Sequence, residues 1–170
     1  MFCRLHYHFD VWHANWRDAA AFLSTANRLT DLTRKAMGEN SVKRTYVAGP
    51  EGFGPLPFSN GVLVGNTFYM AGHIGFDPAT RKVPDVLEQE VQLLMNSMKE
   101  TLAKVGLRLS DLVYVQIFCA DVSLFERFNA VYRTFFQEPF PARAFIGSGP
   151  LLLGAHFEIQ GIAVGREVES

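Results

Sequence analysis

The sequence predicts an α+β domain in which two helices pack on one face of a mixed sheet of about six strands. Two observations carry this prediction. The chain has 170 residues, of which 48% are hydrophobic and 19% are charged, so it is large enough to bury one core. From residue 42 onward its patterns run strand, hairpin, helix, strand, helix and two strands, an order that places both helices on the same side.

Residues 1–41 differ from the remainder and are predicted to be an N-terminal extension. Apolar residues recur at helical spacing between Trp16 and Leu29, which predicts a helix from Asn15 to about Ala36. This helix could pack on the main domain, pair with another subunit or be loosely held. A further alternative is that the natural start is Met37. The rest of the chain, residues 42–170, is predicted to form the α+β domain.

The first strands of this domain are short. Val42 to Val47 is strand-like, and a loop rich in glycine and proline follows over residues 49–57. Two further strands, Val62 to Val64 and Thr67 to Ala71, flank Gly65-Asn66, a pair typical of a two-residue hairpin turn.

The first long helix is predicted to begin near Asp85 and Glu88, which are spaced as a capping pair. Apolar residues then follow the i, i+3, i+4, i+7 rule from Val91 to Val105, and Gly106 ends the pattern. This apolar stripe indicates a helix that faces the core.

A second strand–helix pair follows. Leu112 to Ala120 is apolar on both faces, which is typical of a strand covered on both sides. Ser123 and Glu126 have the spacing of a capping box, and the aromatic helix behind them ends before Pro139. Two strands close the chain, at about Arg143 to Gly147 and His156 to Val164.

The last two strands carry the most informative side chains. If a tight reversal brings them side by side, alternation places Arg143 and Phe145 on the same open sheet face as Glu158. A guanidinium grips a carboxylate through two hydrogen bonds, and a carboxylate can hold or activate a water molecule. The alternative is a cross-strand ion pair that only holds the register, worth about 0.2–1 kcal/mol. Such a mixed aromatic and charged face predicts a subunit interface and hence a homo-oligomer.

Composition excludes several classes of protein. The net charge of −1 argues against a nucleic-acid-binding protein, which would carry a basic excess. No apolar run reaches the ~20 residues that span a bilayer. The two cysteines are far apart, and the N-terminus lacks the features of a secretory signal, which together predict a cytoplasmic protein with reduced thiols. His6, His8 and His13 lack zinc-site spacing, so no metal site is predicted.

Several segments together resemble the reactive-intermediate (imine) deaminase family, also called the Rid or YjgF family and, earlier, the "L-PSP endoribonuclease" family. The resemblance covers about Val42 to Arg166 and keeps the order of elements. It is carried by residues 57–62, 69–74, 77–80 and 128–132, by Pro141-Ala142-Arg143, and by the terminal run Glu158 to Val164.

The resemblance implies a chorismate-mutase-like fold, a homotrimer and ligand clefts between neighbouring subunits. It implies hydrolysis of 2-imino acids to 2-keto acids and ammonia, with no metal or organic cofactor. Arg143 corresponds to the carboxylate-binding arginine and Glu158 to the glutamate that holds water. Gly72 corresponds to the glycine whose backbone lines the cleft, and Asn129 to the helix asparagine.

Three positions depart from the family pattern. Phe58 replaces a tyrosine, Ala71 replaces a serine, and Phe145 replaces a cysteine. Phe58 and Phe145 could be walls of the substrate cleft or ordinary packing residues. The clamp for a small carboxylate is retained while hydroxyl groups are lost, so the cleft is expected to be more apolar. A non-catalytic trimer that binds or senses small carboxylates is therefore the alternative to the deaminase, and a ribonuclease is disfavoured by the charge.

Overall fold

A computed structural model of the chain describes residues 23–30, 42–50 and 53–166. The chain divides into a unit of residues 1–41 and a unit of residues 42–170, which are described separately. In the first unit, residues 23–30 form helix α1, inside the predicted helical range. The remainder of that predicted helix, Cys3 and the three N-terminal histidines lie outside the described residues, and the division into two domains stays a prediction.

The second unit contains one six-stranded mixed sheet. Its strands are β1 (Arg44–Val47), β2 (Gly61–Val64), β3 (Thr67–Ile74), β4 (Leu112–Cys119), β5 (Ala142–Gly147) and β6 (Phe157–Val164). They lie in the order β1-β2-β3-β6-β4-β5. Only β4 and β5 are parallel; the other neighbouring strands are antiparallel. The predicted mixed sheet of six strands is therefore confirmed.

Helix α2 (Leu87–Ala103) and helix α3 (Phe125–Tyr132) supply the core with its second layer. The predicted apolar stripe of α2 is buried, as is Phe128 of α3. These side chains pack against the inward residues of the sheet, including Phe68, Val115, Ile117, Phe157 and Ile159. The predicted α+β arrangement is thus confirmed. None of the helices in the described ranges is long and apolar enough to cross a membrane.

Both predicted capping pairs are wrong. Helix α2 begins at Leu87 with no side-chain cap. Glu88 instead accepts hydrogen bonds from Arg127 of α3, with N–O distances of 2.9–3.1 Å. Before α3, the side chain of Asp121 accepts from the backbone N–H of Ser123 at 2.9 Å, so the acidic cap precedes the serine. Sequence spacing identified the start of each helix but not the partner of each carboxylate.

The side-by-side placement of the last two strands is also wrong, because β4 lies between β5 and β6. Arg143 and Phe145 pair with Val115 and Ile117, which are fully buried beneath the helices. Paired residues of neighbouring strands point to the same side of a sheet. Arg143 and Phe145 therefore lie on the helix side, whereas Glu158 alternates with the buried residues of β6 and lies on the open face.

One buried carboxylate fixes the start of β6. Glu90 of α2 is fully buried, and its Oε1 accepts from the backbone N–H groups of His156 at 2.7 Å and Phe157 at 3.2 Å. Its Oε2 is 2.7 Å from Nδ1 of the half-exposed His156 ring. Because Phe157 directly precedes Glu158, this contact connects α2 to the strand that carries the predicted catalytic glutamate.

Candidate functional site

Arg143 lies at the side of a groove of about 480 Å³. The guanidinium is held from two directions: Nη1 donates to Oδ1 of the buried Asn129 at 2.8 Å, and the group stacks over the ring of Tyr132 at 5.1 Å. The centre of the Phe125 ring lies 5.6 Å from the guanidinium carbon of Arg143. Among the described residues Asn129 is the one hydrogen-bond partner of this guanidinium, so most of its N–H donors remain available to an anion.

Tyr132 supports the arginine without competing for its donors. Its ring is buried, and its hydroxyl has no hydrogen-bond partner among the described residues. Burial raises the pKa of Tyr132 to about 12, although the positive charge of Arg143 acts in the opposite direction. The phenol is therefore neutral at physiological pH and presents a π face to the cation, an attractive contact worth about 0.5–2 kcal/mol.

Glu158 lies beside a β-bulge in β3. The register between β3 and β6 shifts between Met70 and His73, so Ala71 and Gly72 together oppose one residue of β6. The carboxylate of Glu158 lies directly over Gly72, where an added Cβ would overlap Oε1. Glycine is therefore required at position 72 for the glutamate to adopt this position.

The glutamate opens into a second recess, of about 270 Å³, which we name the Glu158 cavity. Phe58 and Gly72 both line it, together with the apolar side chains of Phe53, Leu56, Ile74, Phe76, Leu152 and Leu153. In the described part of the chain no hydrogen bond or ion pair engages the Glu158 carboxylate, so its oxygens remain available to accept from a water molecule or substrate.

The wall of this cavity is stiffened by a buried hydrogen-bond chain. Asn60 donates to Thr101 Oγ1 at 3.1 Å, and Thr101 lies 2.9 Å from Nε2 of His73. The other ring nitrogen of His73 lies 2.8 Å from the carbonyl oxygen of Ala71, so Nδ1 carries the proton there. This chain anchors both ends of the bulge to α2.

The same histidine predicts a pH dependence of stability. Burial lowers the pKa of His73 below 6.5. The hydrogen bond to the Ala71 carbonyl acts to raise this pKa, and the positive charge of the nearby Lys104 acts to lower it. In the unfolded chain the ring takes up a proton near its ordinary pKa, so the folded state loses free energy as pH falls below about 6.5. We expect the urea midpoint of His73→Gln to change less than that of the wild type between about pH 7 and pH 5. An NMR titration that gives the His73 ring of the folded protein its ordinary pKa would contradict this prediction.

The predicted site residues thus form two groups. Arg143 and Asn129 line the groove on the helix side, and Phe58, Gly72 and Glu158 line the Glu158 cavity. Phe145 lines neither recess; it packs edge-on against the rings of Phe125 and Phe128, at 4.9 and 5.6 Å.

Sequence reasoning did not identify three supporting features of the site. They are the aromatic support of Arg143, the buried Asn60–Thr101–His73 chain and the leucine pair at residues 152 and 153. The first has a recognisable sequence signal, since Phe125, Asn129 and Tyr132 recur on one helix face at spacings of four and three. In the described ranges no group of three or more His, Cys, Asp or Glu side chains is placed to hold a metal ion.

The arrangement supplies a forked cation at Arg143 and a carboxylate at Glu158. Comparison with known proteins identifies the framework that carries these groups. The family model described as endoribonuclease L-PSP matches residues 54–165. The chain belongs to the endoribonuclease L-PSP family.

Two relatives in this family are named 2-iminobutanoate/2-iminopropanoate deaminase. The protein from Dermatophagoides farinae is 38% identical over 109 residues, which are 64% of this chain and 85% of that protein. The protein from Bos taurus is 36% identical over 109 residues, covering 64% of this chain and 80% of that protein.

Solved structures of L-PSP family proteins share the fold. RidA from the Antarctic bacterium Psychrobacter is 30% identical with a TM-score of 0.64, and the match covers 69% of this chain and 94% of RidA. The YjgF gene product of E. coli is 31% identical with a TM-score of 0.63, over 70% of this chain and 94% of that protein. The predicted resemblance to the Rid, YjgF or L-PSP family is confirmed.

Proposed function

We propose that this protein hydrolyses 2-imino acids to 2-keto acids and ammonia in a cleft that two neighbouring subunits of a homotrimer complete. The observation that carries the proposal is the exposed guanidinium of Arg143, fixed by Asn129 and Tyr132 with donors to spare. Relatives named as imine deaminases support the reaction class. A small carboxylate substrate and other copies of the chain are the proposed partners.

The placement of the two key side chains supports a shared cleft. Within one protomer Arg143 and Glu158 lie on opposite sides of the sheet and line separate recesses. The open sheet face carries apolar side chains, among them Tyr69, Tyr114, Phe118, Ile146 and Ile162, and a face of this kind is typical of a subunit interface. Arg143 lies on β5, an edge strand of the sheet, so an association in which this edge meets the open face of the next copy would let the arginine of one copy approach the glutamate of its neighbour.

The proposed chemistry requires positioning more than reactivity. Arg143 binds the substrate carboxylate, and Glu158 accepts a hydrogen bond from a water molecule beside the C=N carbon. As the water oxygen bonds to that carbon, its proton passes to Glu158 and the imine nitrogen takes up a proton from solvent. Glu158 then returns its proton to the amino nitrogen of the carbinolamine. The C–N bond breaks and ammonia leaves, while the hydroxyl proton passes to solvent as the C=O bond forms. Holding water and imine together supplies most of the acceleration.

Subunit complementation tests this proposal. Arg143→Ala and Glu158→Gln should each retain only about a hundredth of wild-type activity, and their unfolded chains should be mixed in equal amounts and refolded together. In a cyclic trimer with random assembly, about a quarter of the shared clefts then contain both wild-type residues. We therefore expect about a quarter of wild-type activity to return. A site within one protomer would return none, and a wild-type protein that accelerates no 2-imino acid would refute the deaminase.

The second candidate is a trimer that binds small carboxylates without turning them over. The apolar lining of the Glu158 cavity favours it, because Phe58 contributes no hydroxyl to orient an attacking water. A thermal-shift measurement separates the two candidates, since a ligand that binds only the folded state raises Tm. Stabilisation by 2-keto acids with no imine hydrolysis would support the binding protein.

A further inference from the structure

The Glu158 cavity has one charged group and an otherwise apolar interior. Asn60 and His73 also line it, but the amide nitrogen of Asn60 and both ring nitrogens of His73 are engaged with Thr101 and the β3 backbone. Apart from Ser97 and the amide oxygen of Asn60, the other side chains that line the cavity around Glu158 are apolar. Such a lining selects a ligand by the apolar area that it buries.

Two aromatic rings on the cavity wall contact each other. The rings of Phe53 and Phe76 meet edge to face, with centroids 5.3 Å apart, and the guanidinium of Arg81 lies 5.4 Å from the centre of the Phe53 ring. Two aromatic rings held in this way offer a flat, rigid contact surface at small entropic cost, because their orientation is already fixed.

The leucine pair on the cavity wall carries backbone strain. Leu153 has φ of 56°, a left-handed conformation that branched side chains rarely adopt. Leu152 and Leu153 are 75% and 54% exposed, so no core packing in the protomer offsets this strain. Strained residues of this kind cluster at ligand sites, and these two leucines border the cavity.

We propose that the cavity accepts the side chain of the substrate, and that the substrates are 2-imino acids with branched aliphatic or aromatic side chains. This inference rests on the proposed function. The names of the relatives refer to imino acids with methyl and ethyl side chains. A volume of about 270 Å³ walled by Phe58, Phe76 and Leu153 leaves such small groups with few contacts, whereas an isobutyl or benzyl group reaches the walls.

Substrate preference tests this inference directly. An amino acid oxidase can generate the imines of alanine, leucine and phenylalanine in situ, with semicarbazide present to compete for them. Since each methylene in an apolar pocket is worth about 10-fold or more, we expect kcat/KM for the leucine and phenylalanine imines to exceed that for the alanine imine at least ~10-fold. Equal values or the opposite order would overturn the inference and leave the deaminase intact, whereas no acceleration of any imine would overturn both.

A matched pair of variants ties the preference to this cavity. Leu153→Gly removes one wall and suits the left-handed backbone, so the fold is retained. The ratio of kcat/KM for the leucine imine to that for the alanine imine should fall about 10-fold. Val86→Ser, which changes an exposed residue outside the cavity, should preserve the ratio. A preference that survives in Leu153→Gly would place its origin elsewhere and overturn the assignment.

Discussion

Arg143→Ala should lower kcat/KM for 2-imino acids by about 100-fold while leaving the fold intact. The side chain is exposed, so truncation removes no core packing. A charge-assisted hydrogen bond to a substrate carboxylate contributes about 1.5–3 kcal/mol, and 1.4 kcal/mol corresponds to a factor of ten in kcat/KM. Steady-state rates in the presence of semicarbazide would measure the loss, and circular dichroism would verify the fold.

Two further variants separate the planar fork from mere positive charge. Arg143→Lys keeps the charge but cannot bind a carboxylate through two parallel N–H groups while stacking on Tyr132. It should therefore recover little of the lost rate. Arg127→Ala removes another exposed arginine, the one paired with Glu88, and should leave kcat/KM unchanged. A fully active Arg143→Lys protein would show that a point charge suffices and contradict the proposed bidentate clamp.

Glu90→Ala should destabilise the protein by about 3–5 kcal/mol, which is a large part of the stability of a typical domain. The variant leaves the backbone N–H groups of His156 and Phe157 without their acceptor inside the core. It also opens a cavity where the fully buried side chain lay. Urea unfolding at a fixed protein concentration would measure the change, since the stability of an oligomer depends on concentration.

Matched substitutions define the origin of that loss. Glu90→Gln keeps the shape and one acceptor oxygen, so it should cost less than alanine, about 1–2 kcal/mol. Glu88→Ala removes the neighbouring exposed carboxylate and should leave the urea midpoint nearly unchanged. Equal midpoints for Glu90→Ala and Glu88→Ala would show that the buried contact contributes nothing to stability.

The elements of this fold were predictable because each has a strong local signal. The apolar stripe of α2 follows the helical period, and β4 follows the strand period from Val115 to Cys119. The order of strands in the sheet was not predictable in this way. Periodicity shows which residues share a face of one strand, and it does not show that β4 lies between β5 and β6.

This limit explains the incorrect placement of Arg143. Alternation shows which residues share a face within β5 and within β6, but it does not relate the faces of the two strands to each other. Because β5 pairs in parallel with β4, which lies between them, Arg143 and Phe145 lie on the helix side. The buried Glu90 was equally invisible, because a glutamate within an apolar stripe looks like a solvent-exposed position. Its partners are 66 and 67 residues away, and only the tertiary fold brings them into contact.

The separation of Arg143 and Glu158 by the sheet has a consequence for how much protein a cell must hold. If a single protomer is inactive because its Arg143 and Glu158 line separate recesses, the specific activity falls once dilution dissociates the subunits. Halving the expression level near that threshold would then remove more than half of the metabolic flux. Specific activity measured across a dilution series would therefore decline steeply below the dissociation constant of the assembly.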